Sequence, residues 1–223
     1  MLKASILILS LIVVLVSVDG CRRRMLNIDT TSPETRYRIQ LTETYTKAIS
    51  EKDPWPYKVF MKAERNGQVF LSNEILDHYD DWDVGLGQIA TDSEWLSDNI
   101  LRLGSRAIKE DQQYDWIEVR NNSGSTLSYA LISGISTIPG EKFLLFDLKP
   151  SEDIRLKVFA QTDRERDYSW INFMGKVENQ HNKVISNGKR FKVQGKYKSP
   201  SHYSIIVNDS NVEIKSLEYE SID

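Results

Sequence analysis

The chain has 223 residues, and 29 Lys and Arg stand against 32 Asp and Glu, for a net charge of −3. That balance removes any global electrostatic pull toward nucleic acid. The only cysteine is Cys21, so disulfides cannot staple the body and a hydrophobic core must hold it; thiol catalysis and cysteine-ligated metals are excluded beyond that position.

At the N-terminus Lys3 supplies positive charge, and Ala4–Val18 form a block of 15 residues that is apolar except for three serines. A helix of that length spans about 22 Å of a hydrocarbon core roughly 30 Å thick, which suits a secretory signal better than a permanent span. The segment Val18-Asp19-Gly20-Cys21 resembles the lipobox of bacterial lipoproteins, with Val18 at its first position, Gly20 before the cleavage point and Cys21 as its thiol. The resemblance implies that residues 1–20 are removed as a signal peptide. Cys21 then carries acyl chains, palmitate among them, and two or more such chains make anchoring stable. It further implies a body held at the membrane of the bacterial cell envelope, facing away from the cytoplasm. Two other readings stay open. Arg22, Arg23 and Arg24 favour an uncleaved anchor with a cytoplasmic body, and a palmitoylated Cys21 beside a eukaryotic anchor is the third.

Residues 21–35 are polar, carry Pro33 and read as a lipidated tether. The arginines either lie on anionic headgroups, at about 1 kcal/mol each, or are simply solvated. Over 36–49, Tyr37, Ile39, Leu41, Tyr45 and Ile49 fit both an alternating strand and a helical i, i+4 stripe; the threonines and tyrosines favour the strand. After the breaker Asp53-Pro54-Trp55-Pro56, two apolar runs flank Arg65-Asn66-Gly67. Asn-Gly tolerates positive φ at both residues, and this predicts a hairpin. The spacing of Trp95, Leu96, Ile100 and Leu103 predicts a short helix over Ser93–Leu103, with a strand as the alternative.

From Asp115 onward the chain reads as all-β, with strands expected at Trp116–Arg120, Thr126–Ser133, Lys142–Leu148, Ile154–Ala160, Tyr168–Val177, Arg190–Lys196, Tyr203–Val207 and Val212–Leu217. Asn121-Asn122-Ser123-Gly124, Ile138-Pro139-Gly140, Lys149-Pro150-Ser151, Asn187-Gly188 and Asn208–Asn211 read as the turns between them. Strands and turns at this spacing predict a mainly β fold, an antiparallel β-sandwich of Ig-like architecture with at most one or two short helices. The Ig-like comparison is an analogy of fold only. An N-terminal β-rich region (36–112) and a C-terminal sandwich (113–223) form two units or one body.

Candidate chemistry is sparse. His78, His181 and His202 have no partner at metal-site spacing and read as surface histidines. No G-x-S-x-G is present, and Gly85-Leu86-Gly87 lacks the third glycine of a phosphate loop. Asp77, Asp80, Asp81 and Asp83 form an acidic loop. Closely spaced carboxylates suit calcium, so these four are the candidate metal ligands. As an EF-hand the loop fails: with Asp81 first and Asp83 third, the fifth, sixth and twelfth places are Gly85, Leu86 and Asp92. A solvated acidic loop is the competing reading. Trp82, embedded in that loop, is the candidate exposed binding aromatic; aromatics in β proteins otherwise serve the core.

The function expected from these features is a lipid-anchored, non-enzymatic binding module. It meets the membrane through Cys21, and a protein or surface polymer through loops or a strand edge. One alternative is an envelope hydrolase or carbohydrate-active enzyme, with two buried acids about 5–9.5 Å apart. Another is a structural scaffold lipoprotein bearing a flat apolar patch.

Overall fold

The computed structural model describes residues 26–45, 56–79, 93–104, 114–133, 142–159, 168–178, 183–193 and 200–222. Within them every regular element is a strand: β1 Asn27–Thr31, β2 Tyr37–Tyr45, β3 Tyr57–Arg65, β4 Gln68–Tyr79, β5 Ser93–Ser97, β6 Ile100–Leu103, β7 Tyr114–Asn121 and β8 Leu127–Ser133. There follow β9 Lys142–Leu148, β10 Asp153–Phe159, β11 Tyr168–Val177, β12 Val184–Lys192, β13 His202–Val207, β14 Val212–Ser216 and β15 Glu220–Ile222. The mainly β, antiparallel-rich sandwich read from the sequence is what the chain forms.

The strands make three sheets, ordered β1-β2-β3-β4 (the N-terminal sheet), β15-β12-β11-β8-β9-β6-β5 (the central sheet) and β10-β7-β13-β14 (the outer sheet). Among the described strands every pairing is antiparallel except β13 on β7. The central sheet is the middle layer. One of its faces gives Leu101, Leu103, Tyr129, Leu131, Leu144 and Phe146 to a core completed by Tyr37, Ile39, Leu41, Val59 and Met61 of the N-terminal sheet. The other gives Ala130, Ile132, Phe143, Leu145, Ile171 and Phe173 to a second core completed by Ile117, Val119, Leu156, Val158, Ile205 and Val207 of the outer sheet.

This layering explains the composition of β8 and β9. LSYALIS and KFLLFDL are buried along almost their whole lengths because both of their faces meet a core. Each large side chain fully buried there contributes about 1.5–3 kcal/mol. Strands of the two flanking sheets alternate instead. β2 reads buried–exposed from Tyr37 to Thr44, and β10 buries Ile154, Leu156 and Val158 while Arg155 and Lys157 face water.

Several expectations are corrected. The tether predicted over 21–35 includes a strand: β1 pairs with β2 from Asn27↔Thr42 to Thr31↔Arg38, and Leu26 is buried with its N–H donated to Glu43 at 2.8 Å. Asp29 supports that strand from outside, where Arg38 grips it bidentately at 2.8 and 3.0 Å. The short helix predicted over Ser93–Leu103 is a hairpin, β5–β6, turning at Asp98-Asn99; Trp95 and Leu103 face the first core, Ile100 the second and Leu96 the solvent, so the helical spacing of these residues was a coincidence. Asn187-Gly188 is not a turn but lies within β12, where Asn187 Nδ2 donates to the Val212 carbonyl at 2.5 Å and Gly188 leaves room for the Asn172 side chain opposite. β15 has no counterpart in the sequence reading. Of the two arrangements left open, two units or one body, the pairing of β6 with β9 from Ile100↔Leu145 to Leu103↔Lys142 joins strands from both sides of 112/113 in one sheet. The Asn66-Gly67 hairpin stands as expected, with φ of 51° and 76°.

Candidate functional site

Two places concentrate polar chemistry. The first lies between the N-terminal and central sheets. Asp147 sits near the end of β9 in an otherwise apolar run, its side chain only 7% exposed and its φ at +52°, in the left-handed region. Opposite it on β8 is Ser128. Both strands change face here: Leu127 and Leu148 point to the second core, while Tyr129 and Phe146 point to the first. The flip turns the Asp147 carboxylate toward the N-terminal sheet. Tyr37 Oη donates to Asp147 Oδ2 at 2.5 Å and Arg36 Nη2 donates to the same oxygen at 2.9 Å. Arg65 Nη2 stands 3.3 Å from Oδ1, an ion pair without hydrogen-bond geometry, and Oδ1 accepts no hydrogen bond. Arg65 continues the network to Glu178 at 3.1 Å.

Aromatic rings seal this cluster. Tyr37 stacks on Phe146 at 5.3 Å, and Arg65 lies over Phe70 at 4.7 Å. Burial, and then the hydrogen bond to Asp147, push the Tyr37 phenol well above its ordinary range, so Tyr37 stays a proton donor to the carboxylate. Lys176–Glu74, Trp95 Nε1 to Thr30 Oγ1 at 3.0 Å, and Glu34 N–H to Asp98 at 3.0 Å add further polar ties between the same two layers. All these contacts join one layer to the other, so the cluster is a clamp between sheets.

The second place is the solvent face of the outer sheet. Register places its outward residues in three rows: Lys157, Trp116 and His202; Arg155, Glu118, Ser204 and Lys215; Asp153, Arg120, Ile206 and Glu213. Trp116 and Tyr114 meet edge to face at 5.2 Å, and each ring carries a cation, Arg155 over Trp116 at 4.2 Å and Lys157 over Tyr114 at 4.0 Å. Beside them a groove of about 280 Å³ runs between Glu118, Arg120, Arg155, Ser204 and Ile206. Its lining residues from β7 and most of those from β10 are charged, and those from β13, Ser204 and Ile206, are not. Arg120 is gripped by Asp153 at 2.6 Å, whereas Lys157 has no carboxylate within ion-pair distance among the described residues.

Of the residues singled out in the sequence, Cys21, Asp80, Asp81, Trp82 and Asp83 lie outside the described residues, as does His181. Asp77 and His78 belong to β4, where they pair with Val59 and Lys58, and their side chains are likewise outside the description. His202 is a surface residue whose Nδ1 lies 3.0 Å from Glu218. Among the described residues no three metal-ligating side chains converge. The sequence reading passed over Asp147, whose signal was an acid inside the apolar run FLLFDL. It also did not single out Tyr114 and Trp116 as solvent-facing, for which the signal was two aromatics at i, i+2 on the solvent side of YDWIEVR. Comparison with known protein families, with curated proteins and with solved structures yields no match to this chain.

Proposed function

We propose that the chain is a lipid-anchored, non-enzymatic interaction module of the bacterial cell envelope, and that its recognition surface is the solvent face of the outer sheet. The observation that carries this reading is the order of the layers. Cys21 precedes Leu26 by five positions, and Leu26 is fastened into the N-terminal sheet by Glu43. A linker of five residues reaches at most about 17 Å, so a lipid on Cys21 brings the N-terminal sheet close to the bilayer. The outer sheet is the layer farthest from that sheet, two sheet spacings of about 10 Å away, and it presents the Tyr114–Trp116 pair with its cations away from the anchor. Aromatic and arginine side chains are the groups that dominate recognition surfaces.

The test is acylation. The full chain and its Cys21→Ser variant are expressed in a bacterium fed labelled palmitate, and the membranes are separated. The proposal predicts label and membrane retention in the first and neither in the second. Equal membrane retention without label overturns it.

A further inference from the structure

Among the described residues the outer sheet ends at β10, and that edge differs from the five other sheet edges found there. β4 carries three register shifts against β3, which bend it and spoil it as a template. β1 and β5 have five residues each, β5 with a register shift, and β15 has three. β14 is folded back on the central sheet, where Asn187 already occupies the Val212 carbonyl. β10 is instead seven residues long and pairs with β7 without a shift, from Asp153↔Arg120 to Phe159↔Tyr114. A long, regular edge of this kind is a template for another strand.

The hydrogen-bond phase of β10 identifies the groups on offer. Asn121 N–H donates to the Glu152 carbonyl at 3.1 Å, so that opposed pair is a hydrogen-bonded one. Antiparallel pairs alternate, hence Ile154, Leu156 and Val158 bond β7, while the amides of Asp153, Arg155 and Lys157 point to the open side. Trp116 agrees in phase: its N–H turns away from β10 to the Ser201 carbonyl at 2.9 Å. No described residue accepts from the amides of Asp153, Arg155 or Lys157.

A strand added to β10 extends both faces of the outer sheet: one row of its side chains continues the buried row of Ile154, Leu156 and Val158, and the other stands beside Asp153, Arg155 and Lys157. The first row calls for apolar residues and the second for acids, because Asp153 is taken by Arg120 and Lys157 has, among the described residues, a ring but no carboxylate.

We infer that β10 is a docking edge for an extended peptide of a partner protein, which adds as a fifth strand to the outer sheet with apolar and acidic residues alternating. This deepens the proposed recognition role, but it concerns the folded body alone and does not depend on acylation. A second copy of the chain is the competing occupant: two-fold pairing centred on Leu156 sets Arg155 against Lys157, and pairing centred on Ile154 has to draw on Asp153, which Arg120 already holds.

The test uses the full chain in mild detergent with three seven-residue probes: alternating valine and glutamate, alternating valine and lysine, and the first sequence with every backbone amide N-methylated. Binding is read by fluorescence, and amide exchange at Arg155 and Lys157 by NMR. The expected result is saturable binding of the acidic probe, at least fivefold weaker binding of the other two, and slowed exchange at both amides only in its presence. Lys157→Pro, which removes an outward N–H without removing a bond to β7, is expected to lose binding, and Lys157→Glu to weaken it at least fivefold. Four outcomes overturn the inference: equal binding of the N-methylated probe, no binding of the acidic probe at millimolar concentration, slow exchange at Arg155 and Lys157 in the probe-free monomer, or protection that appears with protein concentration alone. The last assigns the edge to a second copy.

Discussion

Replacing Asp147 by alanine removes the acceptor on which Tyr37 and Arg36 converge at 2.5 and 2.9 Å. Hydrogen bonds to a charged group contribute about 1.5–3 kcal/mol each, and the Tyr37 hydroxyl is left buried without an acceptor, which costs about 1–3 kcal/mol. Against this, Arg36 is 42% exposed and Arg65 26%, so water recovers part of their loss. The expected destabilisation is about 3–5 kcal/mol, in the range of breaking a buried ion pair. Asp147→Asn keeps the shape, tolerates the left-handed backbone and still accepts from Tyr37, so about 1–2 kcal/mol is expected. Tyr37→Phe is expected to cost about 1–2 kcal/mol, and the double variant Tyr37→Phe/Asp147→Ala to cost at least about 1 kcal/mol less than the sum of the singles. Urea unfolding followed by circular dichroism, with tryptophan fluorescence as the second probe, measures all four; Trp95 lies 6.1 Å from Phe146 in the same core. Losses below about 1 kcal/mol for Asp147→Ala, or strict additivity, refute the view that this cluster clamps the two sheets.

Other predictions follow from single positions. Burial, with Glu74 adding to it, pushes the Tyr129 phenol up to about 12, and Tyr37 moves in the same direction. Both folded values lie above the unfolded value near 10, so this stability is complete below pH 10 and is lost as pH rises toward 12. For Tyr129 it amounts to about 2–3 kcal/mol. Absorbance at 295 nm is expected to show these phenols ionising only together with loss of β structure; smooth ionisation with the fold intact contradicts it. Asp29 runs the opposite way. Its hydrogen bonds from Arg38 and then Gln40 hold its carboxyl down to about 2, so the pairing is present above about pH 4 and is lost as pH falls toward 2, visible as a late shift of the Asp29 carboxyl carbon in NMR. An alanine Cβ at Gly175 meets Leu127 and the Phe173 ring at 3.1 Å in the core, so Gly175→Ala is expected to cost about 1–3 kcal/mol in urea. Gly188→Ala meets only the exposed, movable Asn172 side chain and is expected to cost far less.

The parts of the fold legible in the sequence are those ruled by local chemistry. Asn66-Gly67 specifies its turn wherever the strands go, and Lys142–Leu148 and Tyr168–Val177 are strands at the bounds their composition suggests. The third layer was not legible, because continuous apolar runs such as KFLLFDL report burial on two faces without naming what covers them. Asn187-Gly188 misled because a turn-forming pair became a strand contact, Asn187 with Val212 25 residues on and Gly188 with Asn172 16 residues back. Asn27–Thr31 was hidden because its support is side-chain bonding from Arg38 and Gln40 rather than apolar alternation. Of the recognition surface, the aromatics and cations were visible as residues. Their stacking depends on the β7–β10 register, Lys157↔Trp116 and Phe159↔Tyr114, which no local pattern contains.

The most direct test of the central claim, that the body stands outside the cytoplasm with the outer sheet exposed, is thiol labelling at Lys215, whose side chain is 62% exposed on that sheet. Since Cys21 is the only native cysteine, a Lys215→Cys chain with an acylated Cys21 carries one reactive thiol. The account predicts that intact spheroplasts label fully with a membrane-impermeant maleimide. Labelling only after lysis contradicts it and places the body on the cytoplasmic side, where Arg22–Arg24 would hold it.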